Sequence, residues 1–213
     1  MSVWGVRKSE KTTVDAELLS HEFVLLHDEL ESHKQRQEAM STEMEEARGI
    51  DPEKDRHQGE VQAVNQDSEV LYGRQKLLYA YFDQGVHVDY PETSMSSIVI
   101  GTRALIKRTT QNGSWNEIYE LAGQRLVVPV EAQKEMDENE DFHVVTTAST
   151  IGELILSHVA GATITSSTPA MKFELTVLEI DQELQKRKYG SLASRYDSRT
   201  RQVSPPATTV TDN

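Results

Sequence analysis

Two rows of residues constrain this chain more than anything else in it. From Leu19, an apolar or semi-apolar side chain recurs at Phe23, Leu26, Leu30, His33, Gln37, Met40, Met44 and Ala47. A second row runs through His57, Val61, Val64, Ser68, Leu71, Gln75, Leu78 and Phe82. The alternating four-three spacing is a period of about 3.5, which keeps one narrow stripe facing a partner helix instead of a sheet. If the chain folds back on itself, antiparallel partners keep a constant index sum. Ala47 with His57, Met40 with Val64, and Phe23 with Phe82 all give 104 or 105. The tip then falls near position 52, in Gly49-Ile50-Asp51-Pro52-Glu53-Lys54-Asp55-Arg56. Gly49 supplies a left-handed stop for the first helix, and Pro52 cannot continue it. At about 1.5 Å per residue, Leu19 to Ala47 reaches roughly 40 Å. The expectation is a stiff finger over 14–84 with a charged tip at 49–56, and a first helix starting near Thr13 to Asp15.

The rest of the composition fits a thin finger on a small base. Apolar residues make up 37% of the 213 residues, which is low for one compact core, because a two-helix finger has little interior. Residues 1–13 read as a loose polar arm. No apolar run is long enough to span a bilayer, and no signal-peptide pattern opens the chain. With no cysteine, disulfides and thiolate zinc sites are excluded and a reducing, cytoplasmic setting is expected. A net charge of -13 argues against tight unaided binding to nucleic acid, which needs clustered Lys and Arg. The expected partner is a protein, and the free chain is expected to be monomeric.

Beyond a linker at 85–97 the periodicity changes to that of a sheet over 98–182. Ile98-Val-Ile and Ala104-Leu-Ile read as strand, and Gln111-Asn-Gly-Ser reads as a hairpin turn of the primed kind. Trp115 to Leu121 alternates, Leu126 to Val130 is an apolar run, and Phe142 to Thr146 is a strand. Between them, 131–141 is an acidic insertion expected to stay in water. Ser149 to Ser157 reads as a short helix capped by Ser149 or Thr150. Ala162 to Ser166 and Met171 to Ile180 complete the sheet. From Glu183 the chain turns basic and polar, with Lys186, Arg187, Lys188, Arg195, Arg199 and Arg201, so 183–213 is expected to be disordered.

Several segments resemble the bacterial Gre transcription elongation factors (GreA/GreB-like). Ile118-Tyr-Glu-Leu-Ala-Gly123 resembles the family's Y-x-(I/L)-V-G segment. Thr150-Ile-Gly-Glu-Leu-Ile-Leu-Ser-His-Val-Ala-Gly161 resembles its S-P-I-(A/G)-x-x-L-(I/L)-G-x-x-x-G-D element. Ile100-Gly101, Met171 to Ile180, Glu46-Ala47-Arg48 and Gly73-Arg74 are similar as well, so the likeness spans about Val14 to Ile180. It implies an α+β fold: an N-terminal antiparallel two-helix coiled coil, then a small FKBP-like antiparallel sheet domain with one short helix. Three departures stand out. The family's tip reads G-D-x-x-E-N-A-E-Y, whereas here Asp51 can stand for the first acid but Lys54 sits at the place of the second, flanked by Glu53 and Asp55. Ala162 follows Gly161 where the family has Asp. The acidic insertion and the C-terminal tail have no counterpart.

The resemblance implies a factor that binds RNA polymerase and inserts its finger into the secondary channel. Its tip acids Asp51, Glu53 and Asp55 then help hold a Mg²⁺ of the polymerase and orient a water that cuts backtracked RNA. Such chemistry suits a cation that takes oxygen ligands and few carboxylates from any one source. The chain would be no enzyme by itself and would carry no cofactor of its own. Ser149, Thr150, Glu153 and Ser157 are the expected partner contacts, and Arg48, Arg56 and Arg74 an expected guide for nascent RNA. Other readings stay open. Asp51-Pro52-Glu53 is also a good helix start, with Asp51 as cap, and Arg74 also suits a plain solvated helix face. The alternative is a Gre-like regulator that occupies the channel without cutting, and a third reading is a coiled-coil scaffold unrelated to polymerase. Prolyl isomerase activity rests on fold analogy alone, and no P-loop, G-x-S-x-G or H-E-x-x-H pattern occurs.

Overall fold

The computed structural model describes residue 14 and residues 16–48, 56–92, 95–168 and 171–206. The N-terminal arm 1–13 and, of the expected tip at 49–56, all but Arg56 therefore lie outside the described residues. Two 29-residue helices, α1 (Ser20–Arg48) and α2 (Arg56–Gln84), form the finger's arms. Near their bases the buried seam positions are Leu19 just before α1, Phe23, Leu26, Leu30 and His33 on α1, and Leu71 and Leu78 on α2; His21, Glu22, Val24 and Ala80, off the seam, are buried too. Off the seam, Val70 and Tyr72 are 73% and 66% exposed. Phe23 meets Phe82 edge-on, with ring centroids 5.8 Å apart, as the constant index sum requires. Each large apolar side chain buried here contributes about 1.5–3 kcal/mol.

The helix α1 starts later than the sequence suggests. Its preceding residues form β1 (Glu17–Leu18), paired in parallel with β2 (Val86–His87). Extended residues alternate sides, so Leu18 enters the finger's cluster while Leu19 enters the sheet's. A helix beginning at Thr13 would give up that two-way anchor. The stretch expected to be a linker is accordingly ordered at β2, and Val88 and Tyr90 pack on the sheet core.

The five-stranded sheet has the order β5-β4-β3-β7-β6, from β3 (Arg103–Thr110), β4 (Gly113–Ala122), β5 (Phe142–Thr146), β6 (Thr163–Thr168) and β7 (Met171–Asp181). It is mixed and not antiparallel throughout, because β4 and β5 run parallel. A parallel pair needs a crossover, and that crossover is α3 (Val130–Glu138), the stretch expected to be a solvated acidic insertion. Its Ala132 is buried, and Met136 packs with it on Phe142 and Val144. The run Leu126 to Val130 is thus the lead into a helix, and Ile98 to Ile100 is not a strand but is held by hydrogen bonds to the loop around Ser157 and His158. The β3–β4 turn closes on Gln111 and Asn112, with positive φ only at Gly113, so it is not a primed turn.

The core face carries Ala104, Ile106, Tyr119, Leu121, Leu175 and Val177. The short helix α4 (Thr150–Ile155) covers it with Ile151, Leu154 and the fully buried Ile155. The described part of the tail, 183–206, is structured: α5 (Leu184–Ala193) is followed by the small hairpin β8 (Tyr196–Asp197) and β9 (Gln202–Val203). Tyr189 and Tyr196, seven residues apart, are both buried, and Arg187, Lys188 and Arg195 beside them sit on acids. The expectation of disorder fails because composition alone does not reveal those partners.

Candidate functional site

The described residues concentrate their built polar chemistry where the hairpin meets the sheet. At the start of α1, Leu19 is the N-cap and Glu22 is the third helical residue. The Glu22 carboxylate reaches back to the Leu19 N–H through Oε2 at 2.8 Å, half of a capping box. Its Oε1 accepts the N–H groups of Gly123 and Gln124 at 2.9 and 3.0 Å. One side chain therefore caps the hairpin and ties it to the end of β4. Burial without a cation pushes its pKa up to about 7, although the backbone donors of Leu19, Gln124 and Gly123 pull the other way.

Two glycines of the resembling segments, Gly101 and Gly123, sit at this junction. A Cβ on Gly123 would lie 1.8 Å from the carbonyl oxygen of Glu17, so only glycine lets β1 approach. Gly101, at φ 93°, fits beneath Pro91 and Leu19. Next to Gly123, the Gln124 side chain donates to Val127 O at 2.8 Å and accepts from the N–H groups of Leu126 and Val127. That shapes the loop whose Leu126 carbonyl accepts Arg74 Nη2 at 2.9 Å.

Arg74 is thus a bracket between α2 and the sheet domain. Its Nε also donates to Glu29 Oε1 at 3.1 Å, on the oxygen that His33 Nε2 meets at 3.2 Å. Arg74 and Arg56 are 18 positions apart on α2, about 27 Å along the axis, so the structure does not bring them together. Arg48 ends α1 and Arg56 opens α2. Asp51, Glu53 and Asp55 lie outside the described residues.

The expected partner contacts divide into two kinds. Ser149 is the N-cap of α4: its Oγ accepts from Gly152 N at 3.1 Å and donates to Thr146 O at 2.7 Å. Thr150 and Glu153 are exposed on the side of α4 away from the core. Ser157 is exposed too, held at φ 66° with its N–H on Ile98 O at 2.8 Å. Three free polar side chains thus stand on a segment fixed from beneath.

A third group escaped the sequence reading. Arg103 donates through Nη1 and Nη2 to the two oxygens of Glu135, both at 2.8 Å, and through Nη2 to Glu120 at 2.9 Å. Lys188 Nζ adds a bond to Glu135 at 2.7 Å, and Tyr189 donates to Glu120 at 3.2 Å. The Arg103 bonds, with help from Lys188, hold the Glu135 carboxyl down at about 2. Glu135 thus ties the acidic helix to β3 through Arg103 and meets the basic tail through Lys188. The alternation of Ala132 and Met136 at helical spacing was the available signal. Among the described residues no group of three or more His, Cys, Asp or Glu could hold a metal ion, and no helix is long and apolar enough to cross a membrane.

No family model matches the chain, and no curated protein matches it. Among solved structures, it is similar to the GreA factor homolog 1 (Gfh1) protein of Thermus thermophilus, at 19% identity over 79% of this chain and 99% of that one, with a TM-score of 0.34. It is similar to Thermus aquaticus Gfh1 at 20% identity over 78% and 97%, with a TM-score of 0.35. The prokaryotic transcription elongation factor GreA/GreB from Nitrosomonas europaea is 16% identical over 55% and 87%, with a TM-score of 0.27.

Proposed function

We propose that this chain is a Gre-like accessory factor of bacterial RNA polymerase, which presents the tip of its helical hairpin to the polymerase interior through the secondary channel. The observation that carries the reading is the way the hairpin is rooted. Glu22 and Arg74 tie its two arms to the same loop of the sheet domain, so a force on the tip is taken up by the base. A probe that has to enter another protein needs that, whereas a flexible tether does not. The Gre-like segments through Gly101 and Gly123 support the same reading, because the junction depends on both glycines.

In the cleavage form of the proposal, Asp51, Glu53 and Asp55 lend carboxylates to a Mg²⁺ of the polymerase active site. The metal would polarise the phosphate and activate a water; this chain would supply ligands and no covalent chemistry. Thr150, Glu153 and Ser157 would meet the polymerase rim, with Ser149 fixing their segment. The second form is a regulator that fills the channel without cutting. It is favoured by one feature of the sequence, Lys54 at the place of the family's second acid, since a cation there opposes metal binding.

The test is a halted, backtracked elongation complex incubated with the protein and with a Glu53→Ala, Asp55→Ala variant. RNA shortening that is lost in the variant supports cleavage. Competition with an active Gre protein, with no shortening, supports the channel regulator. Absence of polymerase binding overturns both and leaves an interaction scaffold.

A further inference from the structure

We infer that the C-terminal segment 184–204 is a strut that sets the aim of the helical hairpin relative to the sheet, with Arg195 and Arg201 as its positioning residues. One end is fixed to the sheet domain. Gln185 donates to Leu121 O at 3.3 Å, Tyr189 donates to Glu120, and Lys188 holds Glu135. The other end grips the hairpin at two places. Arg195 forms a two-pronged bond to Asp28 of α1, at 2.7 and 2.8 Å. Arg201 donates to the carbonyls of Phe82 and Gly85, at 2.7 and 3.0 Å, where α2 ends. A cation there also meets the negative end of the helix dipole. Between them Tyr196 lies flat on Phe23, with centroids 4.5 Å apart and planes 2° from parallel.

The strut is shaped before it grips. Asp197 accepts from Arg199 N and Thr200 Oγ1, both at 2.9 Å, which closes the β8–β9 turn. Arg195 Nε and Ser204 O bond at 2.8 Å, as do Ser204 N and Arg195 O. Asp28 stands six residues beyond Glu22, about 9 Å further along α1. Arg74 already holds α2 to the sheet domain at the height of Glu29; the strut adds a grip on α1 and on the end of α2, and a rod held at more places rocks less. The effect grows with length: from Glu22 to Thr42 is about 30 Å, so rocking by roughly 10° moves Thr42 by about 5 Å. What the aim serves rests on the polymerase reading above, but the geometry does not.

The absence of cysteine makes the test direct. Spin labels at Thr42→Cys and Asn116→Cys, both exposed positions, report the distance from shaft to sheet in the free, full-length chain by pulsed electron resonance. The expected result is a narrow distribution that broadens by several ångströms in a variant with Asp28→Asn and Arg201→Gln, with helical content unchanged. Arg195→Gln alone is expected to broaden it less. Arg187→Gln serves as control, because its partners Asp181 and Glu183 are within six positions of it and neither touches the hairpin; it should leave the width unchanged. An unchanged width in the Asp28 and Arg201 variant, or equal broadening by Arg187→Gln, overturns the proposal. Since no polymerase is present, these outcomes are separate from the fate of the functional reading.

Discussion

Glu22 and Glu135 both join pieces of chain far apart in sequence, and they do it under opposite electrostatics. Glu22 is buried with three backbone N–H groups and no cation, so desolvation raises its pKa to about 7. Glu135 is partly exposed between Arg103 and Lys188, and the Arg103 bonds lower its pKa to about 2. The contrast shows how the two joints are built. The root of the hairpin uses backbone donors in a close-packed geometry, while the Glu135 joint uses side-chain ion pairs, which water and salt can loosen.

The sharpest way to break the first joint is Gly123→Ala. The new Cβ would overlap the Glu17 carbonyl at 1.8 Å, and backbone cannot step aside as a flexible side chain would. The expected loss is about 4 kcal/mol or more, a drop in Tm of roughly 10 °C or more for a chain of this size. A thermal melt within a few degrees of the parent would show that β1 does not run where the structure has it. Next in size is Glu22→Gln. An amide has one accepting oxygen and would turn N–H donors toward a backbone N–H, at a cost of about 2–3 kcal/mol near pH 5.

That variant also tests the sign of the pH dependence. A carboxyl whose folded pKa lies above its unfolded value of 4.5 binds more protons when folded. Wild-type stability should therefore fall as pH rises from about 4.5 to about 7, and then level off. The fall is at most about 3 kcal/mol, at about 1.4 kcal/mol per pH unit. Glu22→Gln should remove this slope, so its deficit against wild type narrows between pH 5 and pH 8. Denaturant titrations at both values check it; a deficit that widens with pH would reverse the assignment.

What the sequence revealed follows the same division. The hairpin was legible because a two-helix stem has one interior stripe, and the period of Leu19, Phe23, Leu26 and Leu30 states it directly. The strands around Ile106, Tyr119 and Leu175 were legible by alternation. The joints were not. Glu22 reads as an ordinary acid inside a helix expected to start near Thr13 to Asp15, and only the fold brings Gly123 to it, 101 positions away. The tail was misread for a physical reason: Arg195 and Lys188 look like solvent-seeking charges until Asp28 and Glu135 are placed beside them. Tyr189 and Tyr196 were the legible hint, two large rings in a segment otherwise too polar to bury anything.

The smallest effect belongs to the second joint. For Glu135, the folded pKa lies below the unfolded value of 4.5, so its contribution is present above that pH and is lost as pH falls toward 2. With the carboxylate partly in water, screening reduces that contribution to about 1 kcal/mol. Glu135→Gln should lower stability by about that much at pH 7, and should match wild type near pH 2. The deficit should also shrink as salt is raised, whereas the Glu22→Gln deficit should not, because no ion pair is lost there. If both deficits responded to salt alike, the distinction between a joint of backbone donors and a joint of ion pairs would fail. A salt response at Glu135 alone would show that charge ties the acidic crossover helix to β3 through Arg103 and the tail to that helix through Lys188.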